Sequence, residues 1–198
     1  MNYTEVLEKR RSVYALSDKL DLSGNDIVSL VRKVTTETPS AFNMQSARAV
    51  VLLGEEHKKL WKIVENTLRK IVPADKFAPT EKKMEMFSKG AGTVLFFEDD
   101  SVVDDYKKKF SAYASAFDMF AAHGLGILQG NVWNALAEKG IGANLQHYNP
   151  LIDDEVKKTW NLPSSWRLVS EMVFGHVEAV PAPVEKLPAE ERVKAFGL

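Results

Sequence analysis

The stretch Phe110–Pro150, FSAYASAFDMFAAHGLGILQGNVWNALAEKGIGANLQHYNP, decides how the rest of the chain must be arranged. Phe110, Tyr113, Phe117, Phe120, Leu125, Leu128, Val132 and Leu136 recur at three- and four-residue steps, the period of a helix with one wide apolar face. Small residues (Ala112, Ala114, Ala116, Ala121, Ala122, Gly124, Gly126 and Gly130) fill much of the remaining surface and let other backbones approach closely. Charges occur only at Asp118, Glu138 and Lys139, but His123, Gln129, Asn131 and Asn134 break the run well short of the roughly 20 apolar residues of a membrane span. A buried central helix, or two in tandem, is the expectation. Gly140 is placed to end it in the left-handed conformation, and after Gly142 comes a short polar-tipped segment, Gln146-His147-Tyr148-Asn149-Pro150.

Bulk properties narrow what can surround this helix. A chain of 198 residues suits one domain, 1–198, that buries roughly 70% of its unfolded surface. Lys and Arg total 26 against 27 Asp and Glu, a net charge of −1, so no global field draws the chain to nucleic acid or an anionic membrane. Any anion site must be local. The absence of cysteine excludes disulfides, thiolate metal sites, iron–sulfur clusters and cysteine nucleophiles together. The N-terminus, MNYTEVLEKRRS, is charged at once and shows no apolar core of a secretory signal, which makes a cytoplasmic protein the expectation.

Upstream of the central helix, Thr4–Arg11 reads as a short helix leading into Arg10-Arg11-Ser12. Paired arginines beside a hydroxyl suit a phosphate or carboxylate, because guanidinium forks grip such oxygens in bidentate fashion. A solvated basic turn is the plainer alternative. Ser23 and Asp26 form a capping-box pattern, and Ile27, Leu30, Val31 and Val34 predict a helix ending near Thr36. The loop Thr38-Pro39-Ser40-Ala41-Phe42-Asn43-Met44-Gln45-Ser46 offers donors and acceptors suited to the edge of a flat heteroaromatic ring. A loop bonded only to itself is equally consistent with that composition. Arg48–Gly54 then reads as a buried strand, and His57–Ile71 as an amphipathic helix closed by Pro73. Ala74–Gly92 is expected to form an exposed lid or short helix, and Thr93–Glu98 a second strand.

Asp99, Asp100, Asp104 and Asp105, followed by Lys107–Lys109, are read as the solvated start of the central helix rather than a metal site. Beyond that helix, Asp153 is expected to cap a helix through Trp160, and Trp166–Gly175 is the third strand. The segment His176–Leu198 holds three of the eight prolines and is not a central strand. It is read as an extended arm with a short terminal helix from Pro188, and such an arm needs a neighbouring surface, which points to a dimer. Neither a P-loop nor a dinucleotide fingerprint follows a strand; GLGILQG (Gly124–Gly130) lies inside the helical pattern and reads as packing. His123 reads as a core residue rather than an acid catalyst. Phe110, Tyr113 and Phe117 are most simply core, with one or two of them available to roof a substrate channel.

Taken in order, RRSVYAL, SAFNMQSAR, TVLFFED, GIGANLQHYNPLID and NLPSSWRLVSEMVFG resemble the FMN-dependent nitroreductases, in particular the short subgroup with the fungal fatty-acid-repression-type members and their bacterial relatives. The likeness covers nearly the whole chain. It implies an α+β nitroreductase-like fold, a mostly antiparallel central sheet flanked by helices, and an interlocked homodimer with the 176–198 arm on the partner subunit. It further implies that FMN carries hydride from NADH or NADPH to a nitroaromatic, quinone or similar flat aromatic acceptor in ping-pong turnover, without catalytic side chains or metal. By that resemblance Arg10 and Ser12 meet the phosphate and ribityl chain and Arg11 the ring edge. Ser40, Asn43 and Gln45 arrive from the other subunit. Gln146, His147 and Tyr148 form the segment against the flavin near N5, and Lys186 on the arm reaches the phosphate. Tyr14 stands where many relatives carry Lys or Arg, and the arm offers one nearby base, Lys186, where many have two, with Arg192 a candidate substitute; Lys82 or Lys83 are candidates to supply the missing charge at the ring end. The alternatives are a flavin-binding sensor or interaction protein with incidental reductase activity, and a structural dimer without cofactor.

Overall fold

A computed structural model describes residues 2–198. In chain order it contains helix α1 (Tyr3–Lys9), strand β1 (Leu16–Ser17), α2 (Gly24–Glu37), β2 (Ala47–Leu53), α3 (Gly54–Leu68), α4 (Ala78–Ser88), β3 (Gly92–Asp99), α5 (Asp100–Lys109), α6 (Phe117–Glu138), β4 (Ile141–Gln146), α7 (Asp153–Thr159), β5 (Trp166–Val177) and α8 (Ala189–Arg192). Every strand pairing is antiparallel, in the order β4-β5-β3-β2, with β1 pairing the last residues of β5. The α+β architecture with an antiparallel sheet flanked by helices is thus the one expected.

Helix α6 packs on one face of the sheet. Leu125, Leu128, Val132 and Leu136 meet Val94, Phe96, Met172 and Phe174 together with Ile27 and Val31 of α2. The other face is covered by α3, α4 and α7, where Trp61, Phe87 and Val156 pack on Leu95, Phe97 and Val173. Burying a side chain of this size contributes about 1.5–3 kcal/mol each, so the helices are held by packing more than by propensity. Gly140 has φ +74° and its N–H reaches the Ala137 carbonyl at 3.0 Å, ending α6 as its sequence predicts. The predicted capping box also forms: Ser23 Oγ accepts from the Asp26 N–H at 3.2 Å, and the Asp26 carboxylate accepts from the Ser23 N–H at 3.0 Å. Ser23→Ala is expected to destabilise the protein by about 1 kcal/mol in urea unfolding with an unchanged m-value.

Other expectations are corrected. Residues Ser111–Ala116 form 3-10 turns, so the regular central helix starts at Phe117, and Tyr113 is exposed rather than on its apolar face. Asp99 ends β3 and precedes the separate helix α5, to which Asp100, Asp104 and Asp105 belong, though Lys107 Nζ still reaches Asp118 at 2.7 Å. His123 is exposed, not core. Of the two alternatives for 74–92, the short helix is the one formed, over 78–88, and it is packed rather than exposed because Met84 and Phe87 are buried. Asp153 is the first residue of α7, not its cap, and its Oδ1 has no partner. Two strands escaped the pattern. Strand β1 is only two residues long, and β4 hides because its polar residues point inward. Within β4, Asn144 Nδ2 donates to the Val13 carbonyl at 2.8 Å and Gln146 Nε2 to Asn144 Oδ1 at 2.8 Å, which satisfies amides that composition alone would place outside. Among the described residues no helix is long and apolar enough to cross a membrane.

Candidate functional site

The chain leaves α1 at Arg10, whose N–H caps the helix on the Val6 carbonyl at 2.8 Å. It then runs beside β4: Ser12 bridges Ala143, and the Val13 N–H donates to the Ala143 carbonyl at 2.9 Å. This anchoring fixes Arg10 and Arg11 along a cleft of about 380 Å³ that Glu8, Trp133, Gly142, Val177 and Pro181 also line, with the exposed Ser12 next to Arg11 in the chain. The Arg10 guanidinium lies over the Trp133 ring, 4.7 Å from its centroid, and Arg11 Nη2 donates to the arm at the Ala182 carbonyl, 2.9 Å away. Among the described residues neither arginine is paired with a carboxylate. Two uncompensated guanidinium groups beside an exposed hydroxyl fit the anionic tail of a phosphorylated ligand.

Farther along the same edge, Gln146 is buried and tied to Asn144, His147 is exposed, and Tyr148 is half-buried. The turn is held from below by Glu171 of β5, whose Oε2 accepts the Tyr148 N–H at 3.0 Å. Burial pushes the Glu171 carboxyl up to about 8, with the charge of Asp153 adding to the effect. The Tyr148 ring meets Trp61 edge-on at 5.8 Å, and the Lys83 ammonium stands 6.0 Å from it. Burial first, and then the Glu171 charge and Tyr14, push the Tyr148 phenol up to about 12 and keep its proton in place. Lys83 also stands 5.5 Å from the Phe87 ring, whose centroid lies 6.5 Å from that of Tyr14.

Ser40, Asn43 and Gln45 line a second cleft of about 370 Å³ with Arg48, Phe120, Ala121 and Gly124. The loop is wound tightly: the Gln45 N–H donates to Ser40 Oγ at 2.9 Å, and Phe42, Asn43 and Gln45 have φ of +55°, +53° and +53°. Left-handed geometry costs about 1–2 kcal/mol per non-glycine residue, so the surroundings must impose it. Phe42 sits amid Phe110, Tyr113, Phe117 and Phe120 with ring centroids 4.9 to 6.3 Å away, an aromatic set bordering this cleft.

The structure does not bring the predicted residues into one place within one chain. The loop precedes β2 at one sheet edge, whereas Arg10–Ser12 and Gln146–Tyr148 flank β4 at the other. Three strand spacings separate those edges, about 14 Å, and the loop end abuts Asp99, which pairs with Trp166, well down β5 from Glu171 opposite Gln146. Lys186 and Arg192 are exposed on the arm and form no ion pair among the described residues. Trp133, Arg48, Asn144 and Glu171 were not singled out from sequence. The triplet Ser46-Ala47-Arg48 beside the polar loop was the one available signal, since a base following such a loop has a carbonyl-rich turn within reach.

An antiparallel sheet with a small-residue helix across one face, two arginines without an ion-pair partner among the described residues at one edge and a loop of donors and acceptors at the other defines a class of α+β domain with polar clefts at both edges of its sheet. The sequence comparisons place the chain within that class: residues 7–176 match the nitroreductase family, and the chain belongs to it as an oxidoreductase. It is 40% identical over 197 residues to the putative nitroreductase HBN1 of Saccharomyces cerevisiae, covering 98% of this chain and 97% of that protein. The nitroreductase FRM2 of the same yeast is 34% identical, over 91% and 90% of the two chains. The crystal structure of nitroreductase CinD from Lactococcus lactis in complex with chloramphenicol superposes with a TM-score of 0.91 at 38% identity, over 99% of this chain and 100% of that one.

Proposed function

We propose that the chain, as a single domain 1–198, forms a homodimer holding two FMN molecules at its interface, and that it reduces nitroaromatics, quinones or related flat acceptors. The separation of the Arg10–Ser12 edge from the Ser40–Gln45 loop carries this reading. A two-fold axis that sets one chain's loop against its mate's β4 edge completes two equivalent sites at once. The arm supports it: beyond Val177 the chain has no regular structure apart from the single turn of α8, and Val180, Val184, Leu187 and Phe196 are exposed with little of their own chain to cover them. The family resemblance and the fit of two uncompensated arginines to a phosphate support FMN in particular.

In this reading Arg10 and Ser12 hold the phosphate and ribityl chain, and Arg11 joins them while tethering the arm. The Gln146–Tyr148 turn, stiffened by Glu171, lies against one face of the ring. Asn43 and Gln45 of the partner subunit supply hydrogen bonds to its edge, and Lys186 adds charge near the phosphate. When bound, FMN supplies the hydride chemistry, taking hydride from NADH or NADPH and delivering it to the acceptor in ping-pong fashion. The protein's own task is to grip, orient and leave one face open, which requires neither nucleophile nor metal. The CinD complexes with chloramphenicol and with 4-nitrophenol support a nitroaromatic acceptor. The same reading places the enzyme in the cytoplasm with its reductant.

Purified protein should turn yellow on addition of FMN, bleach with NADH or NADPH under anaerobic conditions, and recover its colour with 4-nitrophenol or a quinone. Sedimentation should return a dimer. Flavin that stays oxidised in the presence of both nucleotides would favour the binding-module alternative, and a colourless monomer would overturn the proposal.

A further inference from the structure

Arg48 is the cation that lines the cleft of the Ser40–Gln45 loop, and three of its five guanidinium N–H groups are committed to the protein itself. Nη1 donates to the Gln45 carbonyl at 2.6 Å and to the Ala47 carbonyl at 3.1 Å, while Nη2 pairs with Asp99 Oδ2 at 2.9 Å. Asp99 is itself fixed, accepting from Ser101 Oγ at 2.6 Å and from Trp166 Nε1 at 3.2 Å, and its N–H donates to the Ser46 carbonyl at 3.0 Å. Gln45, the residue clamped, is one of the three held at positive φ. The other bonds of residues 40–45 are local: Gln45 N–H to Ser40 Oγ at 2.9 Å, Gln45 Nε2 to the Asn43 carbonyl at 3.4 Å, and Asn43 N–H to the Ser40 carbonyl and Met44 N–H to the Ala41 carbonyl, each 3.0 Å. These short-range bonds hold the turn together but do not aim it.

We infer that Arg48 is a positioning residue: bridging the end of β3 to the Gln45 carbonyl, it imposes the left-handed backbone that turns Asn43 and Gln45 outward toward the bound ring. The inference rests on the reading of this loop as the cofactor-edge loop. Arg48 acts through the loop and touches no ligand itself. The ring of Phe42, seated among the aromatics at the loop's other end, supplies the second hold, so loss of the clamp frees the Gln45 end while Phe42 stays docked. Lysine at this position can keep the ion pair with Asp99 but cannot span both carbonyls as a planar fork does.

The test compares wild type, Arg48→Ala, Arg48→Lys and Asp99→Asn by hydrogen–deuterium exchange in the cofactor-free protein, followed by FMN titration. In Arg48→Ala, peptides covering Asn43–Ala47 are expected to exchange about tenfold faster with β3 and β5 protection retained. FMN affinity should fall about tenfold, the loss of roughly one oriented hydrogen-bonding contact, and the visible band of bound flavin should shift. Arg48→Lys should be intermediate in all three readouts. If Arg48→Ala does not fold, the lysine and Asp99→Asn variants carry the same comparison. Unchanged loop exchange in the variants overturns the clamp. Faster exchange with unchanged affinity and spectrum shows a merely structural role and overturns it too. A wild type that takes up no FMN refutes the functional reading instead, and the exchange data still decide the clamp.

Discussion

Replacing Arg10 by alanine is expected to weaken FMN retention about 10- to 150-fold and to leave the unfolding midpoint close to that of the wild type. The magnitude follows from losing a charge-assisted pair to phosphate, about 1.5–3 kcal/mol. The selectivity follows from what Arg10 does within its own chain. It serves no described carboxylate, its backbone cap on Val6 survives the substitution, and its side chain rests only on the Trp133 face. An exposed cation–π contact is worth about 0.5–1 kcal/mol, too little to unfold the domain. Isothermal titration of FMN into the two proteins, with thermal unfolding alongside, checks both halves. Unchanged FMN affinity would remove Arg10 from the phosphate site. The contrast with Arg48→Ala is informative, because that change should loosen a backbone segment, whereas Arg10→Ala should not alter hydrogen exchange anywhere.

The second large effect is on pH dependence, and it comes from two buried groups with opposite signs. Glu171 is fully buried, and its folded-state value of about 8 lies above the ordinary 4.5, because burial disfavours its charge. Between pH 4.5 and 8 the unfolded chain releases this proton and the folded chain keeps it, so stability contributed below pH 4.5 is lost as pH rises through 8. His57 behaves in the opposite sense. Its Nε2–H donates to the Phe87 carbonyl at 3.1 Å, so Nδ1, 2.8 Å from Thr93 Oγ, must accept the hydroxyl proton, while Trp61 Nε1–H donates to that same oxygen at 3.2 Å. Burial depresses this neutral ring to about 4 from 6.5, against the backbone hydrogen bonds at Phe87 and Ser88. Its contribution is complete above pH 6.5 and is lost as pH falls through 4.

Each unit of such a shift corresponds to about 1.4 kcal/mol. Relative to wild type, Glu171→Gln should therefore gain about 1.4 kcal/mol per pH unit between about 4.5 and 8, up to roughly 4–5 kcal/mol. His57→Gln should gain on wild type as pH falls from 6.5 to 4, by about 3 kcal/mol. In the wild type the two slopes oppose each other between 4.5 and 6.5, so stability from this pair is flat there and declines only toward pH 8. Urea unfolding of the three proteins at pH 4.5, 6.5 and 8 measures these differences. Parallel curves for wild type and Glu171→Gln would show that the carboxyl titrates normally. Because Glu171 also holds the Tyr148 N–H, its ionisation reaches the turn assigned to the flavin face.

Much of this was legible in the amino-acid order. The stripe from Phe117 to Leu136, the capping box at Ser23, the Gly140 stop and three strands carry periodicities or local chemistry that act within a few residues. The motifs RRSVYAL and SAFNMQSAR marked out the two halves of the proposed site for the same reason, since each half is a short contiguous segment. Strand β4 was missed because Asn144 and Gln146 find their partners in Val13 and in each other, pairings made across the fold. His123 was misplaced because an apolar neighbourhood in sequence does not say which side of a helix the sheet will cover.

The sequence by itself determined the fold class and the family and pointed to the residue types at both ends of the proposed ligand site, since these depend on local period and on ordered short motifs. Only the tertiary structure decided that those ends lie on opposite edges of one sheet, that Arg48 bonds both Asp99 and the carbonyl of the left-handed Gln45, and that Glu171 stands beneath the Tyr148 turn. Strand order, backbone handedness and the solvation of a buried charge are set by contacts between segments far apart in the chain, and no window of sequence contains both partners.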